Sequence, residues 1–165
     1  MPAASESASA PAPDPAQALP HTWRPFGVRI AGTLLGAALL LCFGLAWFGF
    51  DQETRDKFTL FQLSTLAFLG LLAFSVWYAL VRCRVIAEPE RLVVVNGYRR
   101  RELEWPQVVG VHLPPGAPWV TLDLADGTTV SAMGIQGSDG GRARQAVREL
   151  RAVVDRLATD TEHGG

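Results

Sequence analysis

The sequence has little of what builds metal centres or disulfide frameworks. It holds two cysteines, Cys42 and Cys83, and three isolated histidines, with no CxxC motif and no Cys/His cluster. Cys42 lies inside one long apolar run and Cys83 follows a second run, so the two thiols are expected at different depths and no disulfide between them is predicted. No metal site and no cofactor are predicted either.

Catalytic motifs are also absent. The chain contains no GxSxG, no P-loop and no GxGxxG, and the GSDGG stretch at residues 137–141 lacks the lysine that a phosphate loop needs. Glu102 and Glu104 alternate along one segment next to arginines, a pattern typical of a solvated strand face. The sequence therefore predicts a protein that is not an enzyme and has no catalytic residues.

Excess charge of either sign is missing too. Fifteen basic residues stand against 16 acidic ones, for a formal net charge of -1. A protein whose main partner is a polyanion normally carries a clear basic excess. Nucleic acid is therefore not predicted as a partner.

Two long stretches contain no charged side chain at all. Residues 30–50 make 21 such positions and residues 58–81 make 24 more. At about 1.5 Å per residue each run spans about 30 Å, the thickness of the bilayer hydrocarbon. The prediction is a transmembrane α-helical hairpin over residues 28–81, with one helix at residues 30–50 and the other at residues 58–81.

Aromatic and small residues accompany these runs. Trp23 precedes the first run and Tyr78 lies near the end of the second, where amphipathic rings favour the headgroup level. Gly32 and Gly36 have the small-xxx-small spacing, which permits close helix packing. Glycine is also simply common in membrane helices, and both interpretations stay open.

The charges around the two runs predict their orientation. The connecting loop, Asp51–Lys57, holds three acids with one arginine and one lysine. Arginines flank the outer ends of both runs, at Arg24, Arg29, Arg82, Arg84 and Arg91. The positive-inside rule then predicts a multi-pass protein of the cytoplasmic (plasma) membrane, with the N-terminus and the C-terminal domain in the cytoplasm.

Both chain ends are predicted to be flexible. Residues 1–25 are rich in Ala, Pro and Ser without hydrophobic periodicity, so they cannot offset their ordering entropy and are expected to be disordered. They also lack the basic segment and short apolar stretch of a signal peptide. Residues 159–165 are predicted to form a short flexible tail.

Residues 82–158 change to short alternating segments separated by turn signals. Asn96–Gly97 is a strong hairpin signal, since both central positions of a type I′ turn need φ > 0, and Asp126–Gly127 is a second one. After a Ser138 or Asp139 N-cap, apolar residues recur at helical spacing. The prediction is a small α+β domain, an antiparallel β-barrel or curled sheet capped by a C-terminal helix.

The segment RVIAEPERLVVVNGYRRRELEWPQVVGVHLP, the later LADGTTV and the closing helix stand after two apolar runs. Together they resemble the bacterial membrane-anchored pleckstrin-homology (PH) domain proteins of the low-molecular-weight protein antigen 6 type. The resemblance implies a PH-like barrel with a capping helix and no established reaction. PH domains that bind phosphoinositides carry basic residues around the first hairpin loop. That loop is expected here at residues 88–90, whose two carboxylates would repel the headgroup, so specific phosphoinositide binding is not predicted.

Two classes of function remain. The first is a membrane-anchored interaction module of the bacterial cell envelope that binds a membrane or cytoplasmic protein, or associates with itself, at its exposed strand edges. The second is a module that senses anionic lipid at the membrane surface. A small transporter subunit is a weaker alternative, because substrate paths usually carry ionisable groups that these runs lack.

The arginines after the second run bear on this choice. A strand that starts at residue 82 leaves the bilayer, turns at residues 88–90 and returns, so the Asn96–Gly97 turn is expected near the headgroups. The predicted membrane-surface contacts, each worth about 1 kcal/mol near an anionic leaflet, are Arg82, Arg84, Arg99, Arg100 and Arg101. A solvated strand face, with Glu102 and Glu104 as cross-strand partners, remains an equal interpretation.

Overall fold

The computed structural model describes residues 19–163, with side chains as far as Leu157. Two long helices, α1 (Gly27–Gly49) and α3 (Leu60–Arg82), are joined through a short helix, α2 (Gln52–Asp56). Both long helices are long and apolar enough to cross a membrane, and the apolar window of each has no buried residue. The predicted pair of apolar helices is confirmed.

Capping sets where the two long helices begin, which differs from the prediction by two or three residues. The second helix starts at Leu60 because Thr59 and Gln62 form a capping box, in which the Gln62 amide donates to Thr59 Oγ1 at 3.2 Å and the Thr59 amide donates to Gln62 Oε1 at 2.9 Å. The first helix starts at Gly27, earlier than predicted, because its first amides have a partner outside the helix, described below.

The two glycines of the small-xxx-small spacing have different surroundings. A Cβ atom at Gly32 would lie 3.3 Å from Cδ1 of Trp77, so Gly32 makes room for that indole ring. A Cβ atom at Gly36 would meet nothing within 4 Å. Gly32 therefore serves a ring-on-backbone contact between α1 and α3, and Gly36 takes no part in it.

In the part of the chain that the structure describes, seven strands form two antiparallel sheets. The first sheet has the order β1-β2-β3-β4 and the second the order β5-β6-β7. The strands are β1 (His21–Trp23), β2 (Arg84–Ala87), β3 (Arg91–Asn96), β4 (Arg99–Glu104), β5 (Val108–His112), β6 (Trp119–Leu124) and β7 (Thr129–Gln136). The sheets meet where β7 crosses β2, and a Cβ atom at Gly134 would lie 2.6 Å from the backbone of Arg84, so only glycine allows this approach.

Strand β1 precedes the long helices yet belongs to the sheet that follows them. Its residues pair with β2 in the register His21↔Ala87, Thr22↔Ile86 and Trp23↔Val85. Trp23 is only 7% exposed and joins the core of the domain. The prediction of a disordered tail to residue 25 is thus wrong for residues 21–23, as is the headgroup position of Trp23, while residues 1–18 lie outside the described part of the chain.

The C-terminal helix, α4 (Gly141–His163), closes the barrel. Its predicted apolar stripe is buried against both sheets through Ala143, Ala146, Val147, Leu150, Val153 and Val154. The helix also includes residues 159–163, which were predicted to be a flexible tail, because the sequence has no glycine or proline before Gly164 to end it. The predicted fold class, a helical pair followed by a PH-like barrel with a capping helix, is confirmed.

The β3–β4 turn is shifted by one residue from the prediction. Asn96 pairs with Arg99, so the two loop residues are Gly97 and Tyr98. Gly97 has φ +61° and no non-glycine residue among those described has positive φ, which is the pattern of a type II′ turn rather than type I′. Asn96 is held in the strand because its amide bridges the two sheets: Nδ2 donates to the Ser131 carbonyl, and Oδ1 accepts from the Met133 amide at 3.0 Å.

Replacing Asn96 with alanine should destabilise the barrel. The change leaves the Ser131 carbonyl and the Met133 amide without their side-chain partner, and we expect a loss of about 2 kcal/mol in the free energy of unfolding. Urea unfolding of the full chain in detergent, followed by intrinsic fluorescence, measures it. Arg99→Ala, at the exposed position paired with Asn96, is the control and should change stability by less than about 0.5 kcal/mol. Equal stabilities of the two variants would contradict the bridging role.

Candidate functional site

The first turn of α1 is capped by a residue of the barrel domain. Asp139 lies 112 residues downstream of Gly27, yet its Oδ1 accepts from the Gly27 amide at 2.8 Å and its Oδ2 from the Phe26 amide at 2.9 Å. The carboxylate satisfies amides that have no partner in the helix and complements the positive end of its dipole. The prediction that Asp139 caps α4 is therefore wrong in its target: the side chain points to a different helix. Arg142 adds to this contact, with Cζ 4.0 Å from the Phe26 ring centroid.

The end of α3 is held by the tip of the β3–β4 hairpin. The Gly97 amide donates to Sγ of the buried Cys83 at 3.2 Å, and a Cβ atom at Gly97 would lie 3.3 Å from Cβ of Ala79. The Tyr98 hydroxyl donates to the Ser75 carbonyl at 2.9 Å and lies 2.8 Å from Ser75 Oγ. The tip of the β3–β4 hairpin thus lies against the end of α3, the helix that leads into β2.

The arginines predicted as membrane contacts do not form one patch. Arg99 and Arg101 lie on the face of β4 that carries the buried Leu103, whereas Arg100 lies on the opposite face. Arg100 pairs with Glu102 at 2.8 Å. Across the sheet, Arg100 is level with Arg84 through Val95, so these two arginines share the outer face.

Arg82 differs from the other four because it belongs to the last turn of α3. Its Cζ lies 5.4 Å from the Tyr78 ring centroid, and its Nη1 donates to the Tyr78 hydroxyl at 3.4 Å. The guanidinium therefore lies alongside an aromatic ring on the helix itself.

Glu102 is the centre of an ion-pair network on the outer face. Besides Arg100, it accepts from Arg91 Nη1 at 2.7 Å, while Arg91 Nε donates to Glu88 at 2.8 Å. The hydrogen bond to Glu88, followed by the negative charge of Glu102, raises the pKa of Arg91. Glu102 acts here as a cross-strand partner, as the solvated-face interpretation expects, but it pairs with Arg91 and Arg100 rather than with the whole triplet.

Strand β4 has a free edge in the described part of the chain. The Glu88 amide donates to the Arg91 carbonyl at 2.9 Å, which fixes the alternation of hydrogen-bonded pairs across the sheet. It follows that Arg99, Arg101 and Leu103 bond to β3, and that the amides of Arg100, Glu102 and Glu104 point away from it. The Glu104 amide is taken by Gln107 Oε1 at 3.1 Å, which leaves Arg100 and Glu102 along the edge.

A groove of about 420 Å³ runs beside this edge. Leu103 and Leu124 form its floor, and Gln107 and the β6–β7 turn form the far wall. In that turn Thr128 donates to Asp126 through its hydroxyl at 2.7 Å and its amide at 2.9 Å, and these bonds lower the pKa of the Asp126 carboxyl. The nearby charge of Arg101 acts in the same direction.

The described residues offer little for catalysis. His112 Nε2 lies 2.8 Å from Asp123 Oδ2, but both side chains are open to water on the outer face of the second sheet. Gly110 lies on the same strand as His112 and is paired with Asp123, and a Cβ atom there would lie 2.8 Å from His112 Nε2, so the two side chains pack over this glycine. Among the side chains that the structure describes, which end at Leu157, no group of three His, Cys, Asp or Glu residues could hold a metal ion.

Comparison with known proteins agrees with this architecture. Residues 82–152 match the family model of the bacterial PH domain. An uncharacterized protein of Mycobacterium tuberculosis and one of Mycobacterium bovis are each 30% identical to the chain over 146 residues, which is 86% of this chain and 89% of the relative. The chain belongs to the bacterial PH domain family. The part of the chain outside this match is shorter than the segment before Gly27, where α1 begins. Both long helices therefore lie within the match. No solved structure matches the chain.

The first strand of the PH domain is separated from the other six by the helical pair. Because β1 precedes α1 and β2 follows α3, the helical pair occupies the connection between the first two strands of the barrel. Residues 88–90 form the hairpin turn between β2 and β3. They are the first tight hairpin turn of the described chain, as expected, but the connection between the first two strands of the sheet is the helical pair. No local sequence pattern indicates the pairing of β1 with β2, since β1 has three residues and its partner strand begins 61 residues after it.

Replacing Asp139 with alanine should loosen the start of α1. The Phe26 and Gly27 amides would lose their acceptor, so we expect their hydrogen exchange to speed up by about tenfold and the full chain to lose about 1 kcal/mol of stability. Exchange of the peptide that contains residues 23–30, in detergent, measures the effect. Ser138→Ala, one residue away and exposed, should leave that peptide unchanged. Unaltered exchange in Asp139→Ala would mean that the cap does not hold α1.

Proposed function

We infer that this protein is a membrane-anchored, non-enzymatic interaction module, whose PH domain binds an extended segment of a partner protein along the free edge of β4. PH domains are typically non-catalytic, and the exposed His112–Asp123 pair packs over Gly110 on an open strand face. The observation that carries the proposal is the edge itself, with the Arg100 and Glu102 amides pointing outward beside a groove.

Membrane anchoring is supported by the two long helices. Their large apolar side chains are exposed along both lengths, and a surface of this size in water would drive aggregation. The pairing of β1 with β2 requires the residues before α1 and those after α3 to lie on the same side of the bilayer. The arginines next to these outer ends, Arg24, Arg29, Arg82 and Arg84, support a cytoplasmic position for that side.

The groove favours a particular kind of segment. A strand added to β4 would take backbone hydrogen bonds from Arg100 and Glu102 and would point every second side chain over Leu103 and Leu124. Those inward positions suit apolar side chains of the partner. Arg101 of β4 and Asp126 of the β6–β7 turn also line the groove, so a charged side chain of the partner can pair with one or the other whatever its sign.

Self-association through the same edge is less well supported. Strand β4 begins beside the end of α3 and runs away from it for six residues. Two copies of β4 paired antiparallel about a two-fold axis would therefore carry their membrane helices in opposite directions. Two copies that span the same membrane in the same orientation cannot pair their β4 strands in this antiparallel manner. A different protein is therefore favoured as the partner.

The other two functions have weaker support. Arg100 is already paired with Glu102, so only part of the predicted set of Arg82, Arg84, Arg99, Arg100 and Arg101 can offer unpaired charge to anionic lipid. A transporter role is disfavoured because the polar side chains early in α3 bond locally: the Ser64 and Thr65 hydroxyls both donate to the Phe61 carbonyl at 2.9 Å.

Photocrosslinking from the groove tests the proposal. The full chain, in its native membrane, carries benzoylphenylalanine at Ala125, which lines the groove, and adducts are mapped by mass spectrometry. We expect adducts to an extended segment of one protein. Arg100→Pro should abolish them, because proline removes an outward amide without removing a bond to β3.

Matched variants separate the edge from the charge. Arg100→Ala removes the same side chain but keeps the amide, so it should retain the adducts. Benzoylphenylalanine at the exposed Val109 on β5 should give none of them. Adducts that persist in Arg100→Pro, or that contain only lipid, would overturn binding at the β4 edge.

A further inference from the structure

Tyr98, at the tip of the β3–β4 hairpin, is exposed in an unusual way. Its hydroxyl bonds to the Ser75 carbonyl and lies against Ser75 Oγ, so its polar atom is satisfied by α3. The side chain is nevertheless 62% exposed, and the exposed part is the ring. A tyrosine at a water-facing surface normally does the reverse, with the ring covered and the hydroxyl in solvent.

The contacts of the hairpin tip fix its level along α3. Gly97 touches Ala79, and the Tyr98 hydroxyl reaches Ser75, which lies seven residues before the last residue of the helix, Arg82. Seven residues correspond to about 10 Å along the axis. The whole helix, at 23 residues, exceeds the hydrocarbon thickness only slightly. The tip therefore lies beside the apolar part of α3, one to two turns before the basic residue Arg82 that ends the helix.

Aromatic rings surround this position. The Tyr98 ring centroid is 6.2 Å from that of Tyr78, which in turn stacks on Phe74 at 6.2 Å. The Arg82 guanidinium lies over the Tyr78 ring, with Cζ 5.4 Å from the ring centroid. Along α3 the aromatic rings come first, and the guanidinium follows toward the end of the helix. This order matches the headgroup boundary of a bilayer, where amphipathic rings concentrate.

We propose that the Gly97–Tyr98 turn is a third membrane-contacting element, in which the Tyr98 ring packs among lipid chains at the headgroup boundary of the leaflet that α3 leaves. This inference rests on the proposed membrane anchoring but not on the β4 edge. The barrel is then fixed to the bilayer at α1, α3 and the hairpin tip, and Arg99, the next residue, lies at headgroup level.

Hydroxyl-radical footprinting of the unmodified full chain tests the inference. The protein is reconstituted at low density in liposomes of phosphatidylcholine and phosphatidylglycerol, and oxidation of each residue is read by mass spectrometry. We expect Tyr98 to be oxidised several-fold more slowly than His112, whose side chain is 55% exposed, although Tyr98 has the larger exposed fraction. Exposed span residues such as Phe48 and Phe68 report on anchoring in the same sample.

The outcomes are distinguishable. Protection of Phe48, Phe68 and Tyr98 supports the inference. Protection of Phe48 and Phe68 with Tyr98 oxidised as fast as His112 overturns the inference and leaves the anchoring intact. Oxidation of the span residues overturns the anchoring and the inference together.

A labelled variant shows that lipid, rather than protein, covers the ring. Tyr98→Cys, in a chain with Cys42→Ala, carries a nitrobenzoxadiazole fluorophore, and Glu90→Cys, in the turn just before β3 and at the opposite end of that strand from the hairpin tip, is the matched control. Cys83 is only 2% exposed and should not react. Nitroxide-labelled lipid should quench the label at position 98 and leave that at position 90 unchanged. Equal quenching at both positions would overturn lipid contact at the hairpin tip.

Discussion

The pairing of β1 with β2 is the constraint on which the rest of the structure depends. It joins two segments that the chain separates by both long helices, and it makes those helices the connection between two neighbouring strands. Trp23 enters the core through this pairing, and its indole Nε1 donates to Glu149 of α4 at 3.0 Å. The barrel, its capping helix and the helical pair are consequently one body rather than a domain on a flexible stalk.

Two further contacts make this connection stiff. Asp139 caps the first turn of α1 from the loop before α4, and the β3–β4 hairpin tip holds α3 through Cys83, Ala79 and Ser75. Helix α1 is thus fixed to the PH domain at its first turn, and α3 is fixed within its last two turns. A domain held at both helices presents a defined edge, β4, at a defined height, which suits recognition of a segment from a neighbouring protein. With the proposed membrane anchoring, it also places the Tyr98 ring at the level of the bilayer boundary.

Much of the fold could be predicted because its signals are local. The long uncharged runs, the alternating strands and the helical stripe of α4 each depend on a period that one segment contains. The missed features all depend on distant partners. Strand β1 is three residues long and gains its stability from Val85 and Ala87 across the helical pair. Asp139 carries a local capping signal for α4 but caps α1. Asn96 has the preference of a type I′ turn, yet its bridge to β7 moves the turn by one residue. The arginine triplet is evident in the sequence, but the ion pair between Arg100 and Glu102 could not be predicted from it.

A disulfide between the first two strands tests the central claim, which is that β1 pairs with β2 although both long helices separate them in the sequence. Thr22 and Ile86 face each other in β1 and β2, in a pair whose side chains point the same way, so cysteines there have suitable geometry for a bond. The chain carries Thr22→Cys and Ile86→Cys, with Cys42→Ala and a protease site inserted in the Asp51–Lys57 loop. After cleavage the two halves should migrate together on a denaturing gel without reductant and separately with it, while the halves of either single-cysteine variant migrate separately in both conditions. Halves of the double variant that separate without reductant would contradict the account.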